Sequence, residues 1–187
     1  MTSGPPCNTL GAMRAEPTFD RAALETVLSA SSDPENPDVD TIYRIVRDTL
    51  RIAVVGLSRD PSKPARRIPS YLAAKGADIF PVNPFAERIL GRPARDRLGD
   101  VTEEVDMVLV FRPSDQAGAV VLEAMEREER PYIWLQEGIR ADAEAAAARE
   151  AGLLVVQDLC IYSVHRAFGD TFRRARDRDP GTTDTPR

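Results

Sequence analysis

The chain has 187 residues, 42% hydrophobic and 29% charged, which is enough to bury a full core in one domain. Its formal net charge of −5 argues against a general nucleic-acid or membrane-surface binder, so any anion site has to be a local positive pocket on an acidic body. No apolar run is long enough to span a bilayer. The opening Met1-Thr2-Ser3-Gly4-Pro5-Pro6 lacks the basic and apolar regions of a secretory signal, and Cys7 and Cys160 have neither metal-ligand spacing nor the pattern of a disulfide framework. A cytoplasmic protein is expected.

Residues 1–17, rich in Pro, Gly and Ser, are expected to form a disordered leader, with Met13 as a second candidate start. Residues 18–50 are expected to be an N-terminal helical segment. Asp20 suits an N-cap before Ala23, Leu24, Val27 and Leu28, the stretch Ser31–Pro37 breaks the chain, and Ile42, Ile45, Val46 and Leu50 mark a second helix. Strands and helices then alternate through a domain spanning 51–169. Strands are expected at Ile52–Val55, Ile79–Val82, Met107–Phe111, Tyr132–Leu135 and Leu153–Val156. Helices are expected around Ile68–Lys75 with Gly76 as its stop, through Ala117–Met125, and from about Asp142 to Ala151 before Gly152. Four strands are nearly continuous apolar runs, as strands buried on both faces require, while Pro81 blurs the second. The pattern predicts an α/β, Rossmann-like, three-layer fold: about five parallel strands with helices on both faces. Residues 170–187 are expected to be a disordered tail.

Ligands of open parallel sheets sit beyond the carboxyl ends of the strands. The stations there are Gly56-Leu57-Ser58, Asn83-Pro84 after Val82, Arg112-Pro113 after Phe111, Gln136-Glu137-Gly138 and Asp158. Polar loops explain each station singly; their joint character favours a cleft. A dinucleotide fingerprint fits poorly, because only Gly56 of the glycine pattern is present and no carboxylate follows the second strand. The same loop offers the Ser58 hydroxyl and the cations Lys63, Arg66 and Arg67, which suit a ligand with several phosphates. Singly these are solvated charges. Clustered at a helix start they oppose its dipole unless an anion offsets them. Arg112 fits either the cleft or a surface salt bridge, and Trp134 fits core packing. Glu137 has no identifiable partner that would make it a base. Cys160 and the single histidine, His165, invite a nucleophile–base reading, but spacing alone supplies neither contact nor orientation, which favours a buried structural cysteine and a hydrogen-bonded histidine.

From about Tyr43 to Phe168 the chain resembles the small stand-alone CoA-binding proteins of bacteria, whose domain is similar to the nucleotide-binding domain of the succinyl-CoA synthetase α subunit. The resemblance is carried by Ile52–Ser58, Tyr71-Leu72 with Gly76, Pro81-Val82-Asn83-Pro84, Ile89-Leu90-Gly91, Val105–Val108 and Val110–Pro113. It continues through Trp134-Leu135-Gln136 with Gly138-Ile139, and Asp158–Ile161 followed by His165. It implies CoA or acyl-CoA as ligand, with phosphates at the Gly56–Ser58 turn, Lys63 and Arg67, and adenosine beside Asn83-Pro84 and Phe111-Arg112-Pro113. Two departures stand out. Ala65-Arg66 replaces a frequent Ser-Tyr, removing a hydroxyl donor that Arg66 would offset, and Val164 replaces a frequent Glu before the histidine. The resemblance implies CoA binding and no particular reaction. The alternatives are a small oxidoreductase or acyl-CoA-handling enzyme using Cys160 or His165, a carrier that pairs the CoA thiol with Cys160, and a nucleotide-sensing module acting on a protein partner or a second copy.

Overall fold

The computed structural model describes residues 20–168, and the leader and tail expected at 1–17 and 170–187 lie outside them. Helix α1 (Arg21–Leu28) starts where Asp20 accepts the Ala23 N–H at 3.0 Å, and α2 (Val39–Asp48) where Asp38 accepts that of Thr41 at 2.8 Å. Then follow β1 (Arg51–Val55), α3 (Pro64–Ala74), β2 (Asp78–Val82) and a small antiparallel pair, β3 (Arg88–Ile89) with β4 (Arg92–Pro93). The rest of the chain is β5 (Met107–Val110), α4 (Ser114–Met125), β6 (Tyr132–Leu135), α5 (Asp142–Glu150), β7 (Val155–Val156) and α6 (Ile161–Ala167).

The main sheet has five parallel strands in the order β2-β1-β5-β6-β7. Side-chain alternation along the strands divides the core. Ile52, Val54, Met107, Leu109 and Trp134 pack toward α1, α2, α3 and α6, whereas Ala53, Val55, Val108, Val110, Ile133 and Leu135 pack toward α4 and α5. Burial on both faces is why these strands read as unbroken apolar runs. The order reverses direction once, between β1 and β5, and a parallel sheet opens a crevice at such a point. Pro81 is tolerated because β2 is an edge strand. That edge is covered by the chain after β4, where Arg95 donates to the Pro81 carbonyl at 2.9 Å and Asn83 to that of Arg95 at 2.8 Å.

Several features depart from the sequence-based expectations: α6 was not expected, and α2 ends at Asp48, short of Leu50. Strand β5 ends at Val110 and β7 begins at Val155, each shorter than expected. The β3–β4 pair was not expected at all; it turns through Leu90 and Gly91, both with positive φ. Helix α3 is longer than the expected Ile68–Lys75: it takes in the basic segment read as a helix start, beginning at Pro64, and includes Pro69 within its length. Pro69 has no N–H to give the Ala65 carbonyl four residues back. That carbonyl instead accepts the Ser58 N–H at 3.1 Å, which ties the loop after β1 to the helix.

Candidate functional site

The chain turns sharply after β1 at Gly56, whose φ is +87°. A Cβ there would lie 3.1 Å from the carbonyl carbon and oxygen of Phe111 and 3.3 Å from Arg112 Cδ. Only glycine permits both the conformation and this approach of the backbones that follow β1 and β5. The turn is fastened on two sides. Asn83 Nδ2 donates to the Leu57 carbonyl at 2.8 Å, and Gly56 N donates to the Val82 carbonyl at 2.9 Å. Ser58 Oγ accepts the Asp60 N–H at 3.1 Å, and Asp60 in turn accepts from Ser62 N and Oγ, which curls the loop ahead of α3.

The start of α3 is open. Lys63 is its N-cap residue and makes no side-chain cap, and Pro64 at the first position has no N–H. Lys63 and Arg67 are solvent-exposed there. Arg66 is half-buried, and its guanidinium runs along α3 to donate one N–H to Ser70 Oγ. Arg112 passes over Gly56 and forms no ion pair among the described residues, so the surface salt bridge open at the sequence level is absent from them.

Two clefts flank this turn along the carboxyl edge of the sheet. One, of about 630 Å³, is lined by Arg67, Tyr71, Gln136, Gly138, Cys160 and Tyr162 among others. Gln136 is buried, and its Oε1 accepts the Ile161 N–H at 3.3 Å, so it anchors the start of α6. Gly138 has positive φ and donates its N–H to Asp158 Oδ1 at 2.6 Å, while Ser32 donates N–H and Oγ–H to Asp158 Oδ2 at 3.0 and 2.5 Å. Burial pushes the Asp158 carboxyl up, but the hydrogen bonds from Ser32 and Gly138 outweigh it and hold the group below its ordinary value of 3.8. The other cleft, of about 870 Å³, lies on the β2 side between Arg59, Pro84, Phe85 and Arg88.

The structure brings Arg112 over Gly56 and Asn83 onto the Leu57 carbonyl of the same turn, and it leaves Lys63 and Arg67 exposed at the start of α3, with Arg67, Gln136 and Gly138 lining the first cleft and Pro84 the second. Leu57 and Val82 are also there, but their side chains are core and only their backbones face the turn. Phe111 and Pro113 shape the opposite wall, Pro113 as the N-cap residue of α4. Cys160 corrects the expectation of a buried structural thiol: it is partly exposed and lines the first cleft. His165 is 1% exposed, and its Nδ1 lies 3.0 Å from the Tyr71 hydroxyl. Tyr162, Arg59 and Phe85 were missed because their loops and helix faces come together only in the fold. Among the described residues no cluster of His, Cys, Asp and Glu could hold a metal, and no helix is long and apolar enough to cross a membrane.

The chain is similar to known proteins over most of its described residues. The family described as the CoA binding domain matches residues 50–166. The Bacillus subtilis (strain 168) protein YneT, uncharacterized, is 34% identical over 131 residues, covering 70% of this chain and 96% of that one. The solved Thermus thermophilus protein called cell-free ID.343 is 36% identical with a TM-score of 0.65, covering 71% of this chain and 99% of its own. The Archaeoglobus fulgidus ADP-forming acetate–CoA ligase II is 29% identical over 107 residues, which are 56% of this chain and 16% of that enzyme. With a match that runs from the residue before β1 into α6, the chain belongs to the CoA binding domain family.

Proposed function

We propose that the protein binds CoA or acyl-CoA along the carboxyl edge of its sheet, with the diphosphate at the Gly56 turn. The observation that carries this reading is the Gly56 cradle: a Cβ-free, positive-φ turn crossed by Arg112 and followed by an uncapped helix start that bears Lys63 and Arg67. Backbone N–H groups and cations at such a start suit phosphate oxygens. In this reading Ser58 adds a hydroxyl, Asn83 and Pro84 with the Phe111–Pro113 corner flank the adenosine, and Gln136 and Gly138 border the pantetheine arm. Arg66 gives one N–H to Ser70 and keeps its other donors beside the same anion. The whole enzyme's chemistry in the ligase relative is not carried over, since this chain matches 16% of it.

The test is calorimetric titration of ligand-stripped protein with CoA, acetyl-CoA, ADP and NAD in parallel. Saturable CoA binding tighter than ADP or NAD supports the reading, and no CoA binding, or a preference for NAD, overturns it. One observation favours a second reading, acyl-CoA chemistry: Cys160 lies open in the cleft that Tyr71 also lines. In that chemistry the acyl carbonyl moves from CoA sulfur to Cys160 Sγ and free CoA leaves. Intact-mass analysis after incubation with acetyl-CoA decides it, an acetyl adduct on Cys160 supporting the step and none excluding it.

A further inference from the structure

The segment from Ser31 to Asn36 precedes the residues matched by the family, yet it is bonded to the domain more densely than a linker needs. Asn36 Nδ2 donates to the Gln157 carbonyl at 2.8 Å, and Asn36 Oδ1 accepts the Gln157 N–H at 2.8 Å. One side chain thus pairs with the end of edge strand β7 as a neighbouring strand would. Ser31 Oγ donates to the same carbonyl at 3.0 Å. Asp33, 6% exposed, accepts from Arg149 at 2.8 Å and from Gln157 Nε2 at 3.0 Å. Ser32 holds Asp158 through its N–H and Oγ–H, and its Oγ accepts from Arg140 at 2.9 Å.

These bonds converge on the loop after β6, residues 136–141, whose Gln136, Glu137 and Gly138 line the first cleft. Three positions of that loop hang from the strap. The Gly138 N–H is held by Asp158, Arg140 reaches Ser32 directly, and the Ala141 N–H is held by Gln157 Oε1 at 2.6 Å. Asp158 has a φ of +50°, a conformation that a residue other than glycine keeps where its surroundings hold it. Lifting the strap takes the Ser32 bonds from Asp158 and the Asn36 and Asp33 bonds from Gln157, so the supports of Gly138 and Ala141 lose their own.

We propose that the Ser31–Asn36 strap is a latch on the first cleft: its docking orders the loop after β6, and a ligand in the cleft in turn holds the strap down. The proposal rests on the CoA reading above, in which Gln136 and Gly138 border the pantetheine arm. With the strap docked, the ligand meets a loop already fixed; with the strap lifted, the loop has to be ordered at the moment of binding, which weakens association. The two equilibria therefore share one coupling free energy, and the coupling is reciprocal.

The experiment is hydrogen–deuterium exchange of the full chain with and without CoA, joined to calorimetric CoA titration of the wild type and two variants. Saturating CoA is expected to slow exchange of residues 29–38 at least about fivefold, the lower range of such couplings. Residues 98–104, at the amino edge of the sheet, are expected to keep their rate. The double variant Ser32→Ala, Asn36→Ala removes side-chain bonds to Asp158, Arg140 and Gln157, and is expected to weaken CoA about tenfold. Gly76→Ala is the control for lost stability alone, because its φ is +108° with open space around it at the far end of α3, and it is expected to keep CoA affinity. Bound CoA that leaves residues 29–38 unslowed, or slows 98–104 equally, overturns the latch and leaves the CoA reading standing. So does a double variant with wild-type affinity, or a loss that Gly76→Ala reproduces. No CoA binding by the wild type overturns both. Exchange in the wild type decides the matter even if the double variant does not fold.

Discussion

Replacing Gly56 by alanine tests the cradle on which the site reading depends. Two costs follow from its geometry. A Cβ at φ +87° sits in the left-handed region, where an L side chain costs about 1–2 kcal/mol. The same Cβ would meet the Phe111 carbonyl carbon and oxygen at 3.1 Å. Phe111 cannot easily retreat, because its N–H is bonded to the Val55 carbonyl at 2.8 Å. That forced contact adds at least about 1 kcal/mol, the lower end of overpacking penalties. Gly56→Ala should therefore lose about 3 kcal/mol, or ~6–12 °C in Tm for a domain of this size, along with most CoA affinity as Phe111 and Arg112 shift. Gly152→Ala is the matched control. Its φ is +82°, and the only nearby atom is the flexible end of Arg130 at 3.5 Å. It should pay the conformational cost of about 1–2 kcal/mol and keep CoA affinity. Urea unfolding of both variants with calorimetric CoA titration is the assay. Equal destabilisation, or undiminished CoA binding by Gly56→Ala, would refute the reasoning.

Changing Lys63 and Arg67 together to alanine should weaken CoA at least about tenfold, or 1.4 kcal/mol, and unchanged affinity in calorimetry would remove both from the phosphate site. With CoA at about ten times its Kd, alkylation of Cys160 should slow about tenfold, read by peptide mass spectrometry; an unaltered rate would place CoA outside the first cleft. Acid should loosen the attachment of the segment around Ser32. Burial raises the Asp33 carboxyl, but hydrogen bonds from Arg149, Gln157 and the Glu35 N–H hold it below 3.8, as those of Ser32 and Gly138 do for Asp158. A depressed folded-state value means stability that is fully present above the unfolded value and lost as pH falls through the folded one. Stability from these two groups should thus be flat from neutral pH down to about pH 5 and fall below about pH 4. In urea unfolding at pH 7, 5 and 3 the Asp33→Asn, Asp158→Asn double variant should lose less on acidification than the wild type, and an equal loss would count against both assignments.

The parallel sheet was legible because Met107–Val110 and Tyr132–Leu135 are apolar without alternation, which only strands covered on both sides need to be. Gly56 was legible because a glycine directly after such a strand marks a turn. Other parts were not. Strands β3 and β4 have two residues each, too few for any period to show. The apolar period of α3 shows only from Ile68, so its first turn was visible as a basic helix start but not joined to the rest of the helix. Cys160 lies between the buried Leu159 and Ile161, yet its place ahead of α6 leaves it partly open to the cleft, which its spacing from His165 does not reveal. Leu57 and Val82 show the limit of reading a motif by position, because sequence order does not say which residues offer side chains and which only amides and carbonyls. Phe85 shows another: its exposure is set by the Asn83 hydrogen bond and the path of the loop, neither of which has a compositional signature.

Because Pro69 cannot donate, α3 gives up one of its own hydrogen bonds, and the vacated Ala65 carbonyl secures Ser58. The turn is then already held when a ligand arrives, from one side by the helix and from the other by Asn83. The conformational entropy of ordering it is lost when the chain folds, so a ligand at the proposed site would meet a preorganised surface. Fraying of the first turns of α3 would release Ser58 as well, so loosening of that helix is expected to lower affinity at the proposed site.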